Sequence, residues 1–162
     1  MSRHRFATAA GFLAAILVVC VLATFQGAPA RADVLPTDAE KLVAVTRSGE
    51  YAFSIEIADS EAERGQGLMF RETMAADHGM LFDFGRTEIV TMWMRNTPMS
   101  LDMVFIHGDG TIARIAERTT PYSDDIVSSQ EPVPYVLELR AGVTRLLGLK
   151  PGDRLRHRLF GG

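Results

Sequence analysis

The 162-residue chain has one cysteine and one tryptophan. Cys20 sits in an uncharged N-terminal run, so the remainder has no thiol for a disulfide and must stand on its hydrophobic core. No G-x-S-x-G, H-E-x-x-H, P-loop or G-x-G-x-x-G pattern occurs, which removes the nucleophile elbow, the zinc-protease helix and both phosphate-cradling loops. Internal repeats and low-complexity tracts are absent as well. Asp124-Asp125 lacks the alternating acids of a dedicated calcium loop.

What is present begins with a leader. Met1–Arg5 is basic, residues 6–25 are uncharged and mostly apolar, and Ala30-Arg31-Ala32 offers an A-x-A cleavage site. That order is the layout of a secretory signal peptide over residues 1–32, and it predicts a periplasmic or secreted protein. An uncleaved anchor is the alternative, since about 20 apolar residues suffice to span a bilayer. Cleavage removes Arg3, Arg5 and Arg31 but no acid, leaving 14 basic against 20 acidic residues, a net of −6. Such a charge argues against nucleic acid and against anionic membrane surfaces as partners. The 130 residues that remain are enough for one domain.

Residues 33–41 read as a flexible lead-in, and 42–162 as the folded domain. Leu42–Val45 and Tyr51–Ile57 have strand character, the second with strict alternation of apolar and polar positions. Ser60-Glu61-Ala62-Glu63 fits a capping box opening a helix to about Met69, although Gly65 and Gly67 weaken it. Further strands are predicted over 79–84, 88–94, 99–107, 111–117, 133–139 and 154–160. A Gly108-Asp109-Gly110 hairpin joins two of them, and a helical turn is predicted over 143–147. Residues 119–132 form the longest irregular segment. The fold class expected is mainly β: a single-domain antiparallel sandwich or distorted barrel with one or two short helices.

The centre of the chain is Thr91–Ile106, TMWMRNTPMSLDMVFI. Two apolar runs flank the turn Arg95-Asn96-Thr97-Pro98, where Asn96 tolerates a left-handed backbone and Pro98 biases Thr97 toward an extended one. In the second run Asp102 shares a strand face with Val104 and Ile106, so it must be paired, hydrogen-bonded or protonated. Arg64, Arg71 and Arg95 are its candidate partners. Arg64 and Arg71, seven apart, share a face if the helix extends that far.

Several segments together resemble a known family. RGQGLMFR (64–71), GMLFDF (79–84), WMRNTPMSLDMVFI (93–106), VLELRAG (136–142) and GLKPGD (148–153) look like the domain-of-unknown-function 192 family, from about Val43 to Leu159. The resemblance implies a compact β-rich domain, in a group where export signals are common. It brings no catalytic residues.

The leading functional expectation is therefore a non-enzymatic binding or accessory module. Its polar cleft would be built from Arg64, Arg71, Trp93, Asn96, Thr97 and Asp102, and would take a small polar ligand or a protein partner. No catalytic residue, metal or cofactor is assigned. A small hydrolase or lyase using Asp102 and a histidine is one alternative. Cu(I) binding is another: all seven methionines after residue 32 fall between Met69 and Met103, with His78 and His107 nearby in sequence. Core packing is the competing use of those thioethers. His107 and His157 have no neighbouring Ser, Cys or acid at nucleophile spacing, and His78, His107 and His157 are each read as structural. Arg154, Arg156 and Arg158 form a basic row on one strand face, as solvated or edge-protecting strands do.

Overall fold

The computed structural model describes residues 32–161, so the expected signal peptide lies outside the described residues apart from Ala32. Seven strands and two short helices follow one another: β1 (Leu42–Thr46), β2 (Gly49–Ala58), α1 (Glu61–Gln66), β3 (His78–Met92), β4 (Leu101–Ile106), β5 (Ile112–Ala116), β6 (Val127–Arg140), α2 (Val143–Leu147) and β7 (Arg154–Arg156). They form one sheet in the order β5-β4-β6-β3-β2-β1-β7. Every pairing is antiparallel except β2 with β3, which the α1 segment joins as a crossover.

The two ends of that order meet. Thr111, just before β5, bridges Arg154 of β7, and Leu155 N–H donates to Gly110 O at 2.8 Å. Gly110 has φ 87°, and a Cβ there would lie 2.3 Å from Leu155 O, so only glycine permits the seam. Of the two architectures expected, the sheet thus forms the distorted barrel, as a curled half-barrel.

Side-chain alternation gives this sheet two apolar faces. The inner face collects Leu42, Phe53, Ile55, Leu81, Val104, Ile106, Leu137 and Leu155. The outer face carries Met80, Phe82, Val90, Met103, Phe105 and Val136, covered by Leu68, Met74 and Met94 from the connecting segments. Burying each large side chain contributes about 1.5–3 kcal/mol, which is how a chain without disulfides holds together.

Three strands differ most from the sequence reading. One long strand, β3, runs from His78 to Met92 through both expected strands, with register shifts and a bulge at 83–88 around Gly85 (φ 66°), and it ends short of the expected Met94. β6 starts at Val127, inside the segment expected to be irregular. Its disguise is a second bulge: Gln130 has φ 67°, Pro132 sits beside the shift, and Ser129 Oγ takes the Val90 N–H at 3.0 Å and donates to Glu131 O at 2.7 Å. β7 ends at Arg156, short of the predicted Phe160.

The helix α1 begins where its capping box predicts, with Ser60 and Glu63 bonded reciprocally. It stops at Gln66 rather than Met69. Gly67 takes φ 46°, and a Cβ there would lie 3.1 Å from Phe82 Cζ, so this glycine both ends the helix and lets the chain approach the sheet. Ahead of β1, Leu35 N–H donates to Glu56 Oε2 at 2.8 Å and Asp38 N–H to Ile55 O at 2.7 Å, tying the lead-in to β2.

Candidate functional site

Asp102 is fully buried, as its place among aliphatics predicts, but no arginine side chain neutralises it. Its Oδ1 accepts the Arg118 backbone N–H at 2.9 Å. Its Oδ2 accepts from Gly142 N at 2.9 Å, Thr144 N at 3.1 Å and Thr144 Oγ1 at 2.7 Å. The last three belong to the start of α2, whose N-cap is Gly142, a residue with no side chain to cap with. Asp102 supplies the missing cap from β4 and places its charge at the positive end of the helix. With its acceptors taken up in this way, it is an organising residue of the inner face, with no histidine among its hydrogen-bond partners.

The expected arginine partners go elsewhere. Because α1 ends at Gln66, Arg64 and Arg71 do not share a helix face. Arg71 makes a forked ion pair with the buried Glu56, at 2.6 and 2.7 Å, and His78 Nε2 lies 2.9 Å from the same carboxylate. Burial pushes the Glu56 carboxyl up, yet the bonds from Arg71 and His78, the Arg71 charge and the Leu35 amide together hold it below the usual carboxylate range. Arg64 Nη1 donates to Asp59 O and to Asp83 O (2.8 Å), clasping α1 to β3, and its guanidinium sits 5.6 Å from the Phe84 ring centroid. Arg95 stacks 4.2 Å over the Trp93 ring and is fixed by Asp124 at 2.7 Å.

On the outer face a cleft of about 280 Å³ opens between α1, β3 and the turn after β3. Its walls are Leu68, Met69, Phe82, Phe84, Met92 and Trp93, and Arg64, Gln66, Arg95 and Thr97 contribute polar groups. At its floor is Glu138 of β6, only 4% exposed. The strand register sets this carboxyl between Met103 of β4 and Met80 of β3, with Glu56 one strand further along the same rung. Glu56 has four bonds; Glu138 has no side-chain hydrogen-bond partner among the described residues. Burial alone pushes the Glu138 carboxyl up to about 8, so it is largely protonated at neutral pH. Gln66 Nε2 is likewise buried without a partner among the described residues.

The sequence and the fold both have counterparts among known proteins. The family model DUF192, described as uncharacterized ACR, COG1430, matches residues 43–157. The chain belongs to the DUF192 family. Among solved structures, this DUF192 chain is similar to a protein of Sinorhizobium meliloti 1021 described as a proposed transcription regulator. The two are 50% identical over 76% of this chain and 97% of that one, with a TM-score of 0.73. It is also similar to a protein of unknown function from Novosphingobium aromaticivorans DSM 12444, 34% identical over 82% of this chain and 94% of that one, TM-score 0.73. No curated protein matches the chain.

Within this DUF192 domain, three of the six expected site residues line the cleft: Arg64, Trp93 and Thr97. Asn96 adopts the left-handed backbone expected (φ 56°) and sits beside the cleft, its Nδ2 3.8 Å from Met69 Sδ. Arg71 and Asp102 are not among the lining residues, and Asp102 shares the inner face with its register partner Leu139. Glu138 escaped the sequence reading, though V-L-E-L carries the same signal as L-D-M-V: a single acid inside an apolar strand.

Six of the seven methionines between 69 and 103 pack in or against the outer core, and the seventh, Met69, lines the cleft. Their thioethers fill the space between a curled sheet and irregular covering segments. No group of three or more His, Cys, Asp or Glu able to hold a metal occurs among the described residues. His107 lies 3.8 Å from Glu131, and His157 Nε2 lies 3.7 Å from Asp38 Oδ1. None of the three histidines lines the cleft. Arg156 and Arg158 are exposed and pair with Glu50 and Asp38.

Proposed function

We propose that this DUF192 protein is an exported, non-enzymatic binding or accessory module that takes a small ligand with an apolar body in the cleft between α1 and β3. The observation that carries this reading is Glu138, whose largely buried side chain lines a mostly apolar cleft and has no side-chain hydrogen-bond partner among the described residues. An unpaired buried polar group costs about 1–3 kcal/mol, and a ligand that supplies its partner recovers that cost on binding. Aromatic and thioether walls with a few polar groups are the usual composition of a small-molecule site.

Export is supported by the N-terminal composition, and among the described residues no helix is long and apolar enough to cross a membrane. The net charge of −6 after leader removal favours a small-molecule partner over direct contact with nucleic acid or an anionic membrane. The Sinorhizobium relative's description does not change that preference, because the cleft walls are apolar rather than basic.

Trp93, the sole tryptophan, lines the cleft and makes the test direct. Small aromatic acids, amines, amides and alcohols should be titrated against the mature protein, following tryptophan emission and melting temperature. At least one class should perturb both, and Glu138→Leu should abolish the response. A panel that leaves both signals unchanged, or perturbs Glu138→Leu equally, overturns the ligand-site reading.

A further inference from the structure

The cleft's unsatisfied groups are donors. Gln66 Nε2 is buried and unpaired. Arg64 commits one guanidinium nitrogen, Nη1, to Asp59 O and Asp83 O, and pairs with no acid among the described residues. The Glu138 side chain, 4% exposed, lines the same cleft and has no ion pair or side-chain hydrogen bond among the described residues. A carboxyl in that setting keeps its proton and acts as a donor, as two like or unsolvated groups force elsewhere.

We propose that the cleft binds an organic monocarboxylate, its apolar tail against Phe82, Phe84 and Met92 and its oxyanion received by Gln66 Nε2, the Arg64 guanidinium and the Glu138 carboxyl. This rests on the reading of the cleft as a ligand site and adds the chemical class. A carboxylate can accept from a guanidinium, an amide N–H and a protonated carboxyl alike, and charge-assisted bonds of this kind are about twice as strong as neutral ones. The charged groups facing the cleft along with Glu138 are Glu61 and Arg64 of α1 and Arg95 after β3; β3 and β4 present only Met80 and Met103 beside it. Arg95 is paired with Asp124, so Arg64 is the cation left to attract an anion into the cleft.

Because the Glu138 proton is one of the donors, binding is linked to pH. Affinity for a carboxylate holds while Glu138 is protonated and falls as pH rises through its ionisation. Glu138→Gln, which keeps a donor of similar shape, removes that dependence.

Three probes with one tail separate the possibilities: phenylacetate, phenylacetamide and phenethylamine, titrated by calorimetry and Trp93 emission between about pH 6 and 9. Phenylacetate should bind at least tenfold tighter than the other two. Its affinity should drop up to about tenfold per pH unit above the Glu138 ionisation, and that drop should vanish in Glu138→Gln. Tighter binding of phenethylamine, rising with pH, or equal binding of phenylacetamide overturns the carboxylate class and leaves the ligand site standing. Carboxylate binding whose pH profile is unchanged in Glu138→Gln removes Glu138 from the receiving group and overturns the proposal as stated. Failure of all three probes to bind overturns the proposal, while the wider panel decides the site itself.

Discussion

Asp102 Oδ2 lies 2.7 Å from Thr144 Oγ1, joining the middle of β4 to the first turn of α2 across 42 residues of sequence. The same oxygen takes the Gly142 and Thr144 amides, so one carboxylate closes the helix end that its own glycine cap leaves open. Removing it strands three backbone donors inside the protein, counting the Arg118 amide.

Asp102→Ala should therefore destabilise the domain by about 3–5 kcal/mol, the scale of breaking a buried, fully bonded charge network. Asp102→Asn, which keeps the shape but points an amide at donors, should cost less. Urea midpoints at constant slope measure both. An unchanged midpoint for the alanine variant would place the carboxylate outside the interior.

Arg71→Ala should cost a comparable amount, about 3–5 kcal/mol, because it leaves Glu56 buried with only His78 and the Leu35 amide. Glu56 is held below the usual range, so its contribution is complete above the unfolded value of 4.5 and is lost as pH falls through the folded one. Glu56→Gln should accordingly flatten the acid limb of the stability curve, read as urea midpoints from neutral pH downward.

Glu138 works in the opposite sense. Its carboxyl moves from 4.5 when unfolded to about 8 when folded. Between those values the unfolded chain has released a proton that the native one retains, so stability falls as pH rises, by about tenfold in the folding equilibrium per pH unit. Glu138→Gln should remove this slope, and Glu138→Leu should also raise the melting temperature at pH 8 and above, since an apolar side chain suits the face between Met80 and Met103. A slope that survives Glu138→Gln assigns it to another group.

Gly67→Ala should destabilise by about 1–3 kcal/mol, from a positive φ that alanine resists and a Cβ set 3.1 Å from Phe82. Since Gly67 and Phe82 both line the cleft, the substitution should also shift Trp93 emission. A native melting temperature with native emission would mean that the α1 segment relaxes away from the sheet without cost.

Sequence alone determined the features governed by neighbours along the chain. The period-two alternation of β2, the Ser60–Glu63 capping box, the Gly108-Asp109-Gly110 hairpin, the helical turn at 143–147 and the left-handed Asn96 each depend on a few adjacent residues. The family segments and the mainly β class belong here too. Tertiary structure alone decided which acid is satisfied. Asp102 and Glu138 look alike in sequence, each a lone carboxyl in an apolar strand, yet one meets amides from the α2 start and the other meets two methionines. Their partners come from strand order and register, which bring together segments tens of residues apart, and no local pattern encodes what will stand opposite a side chain once the sheet has closed.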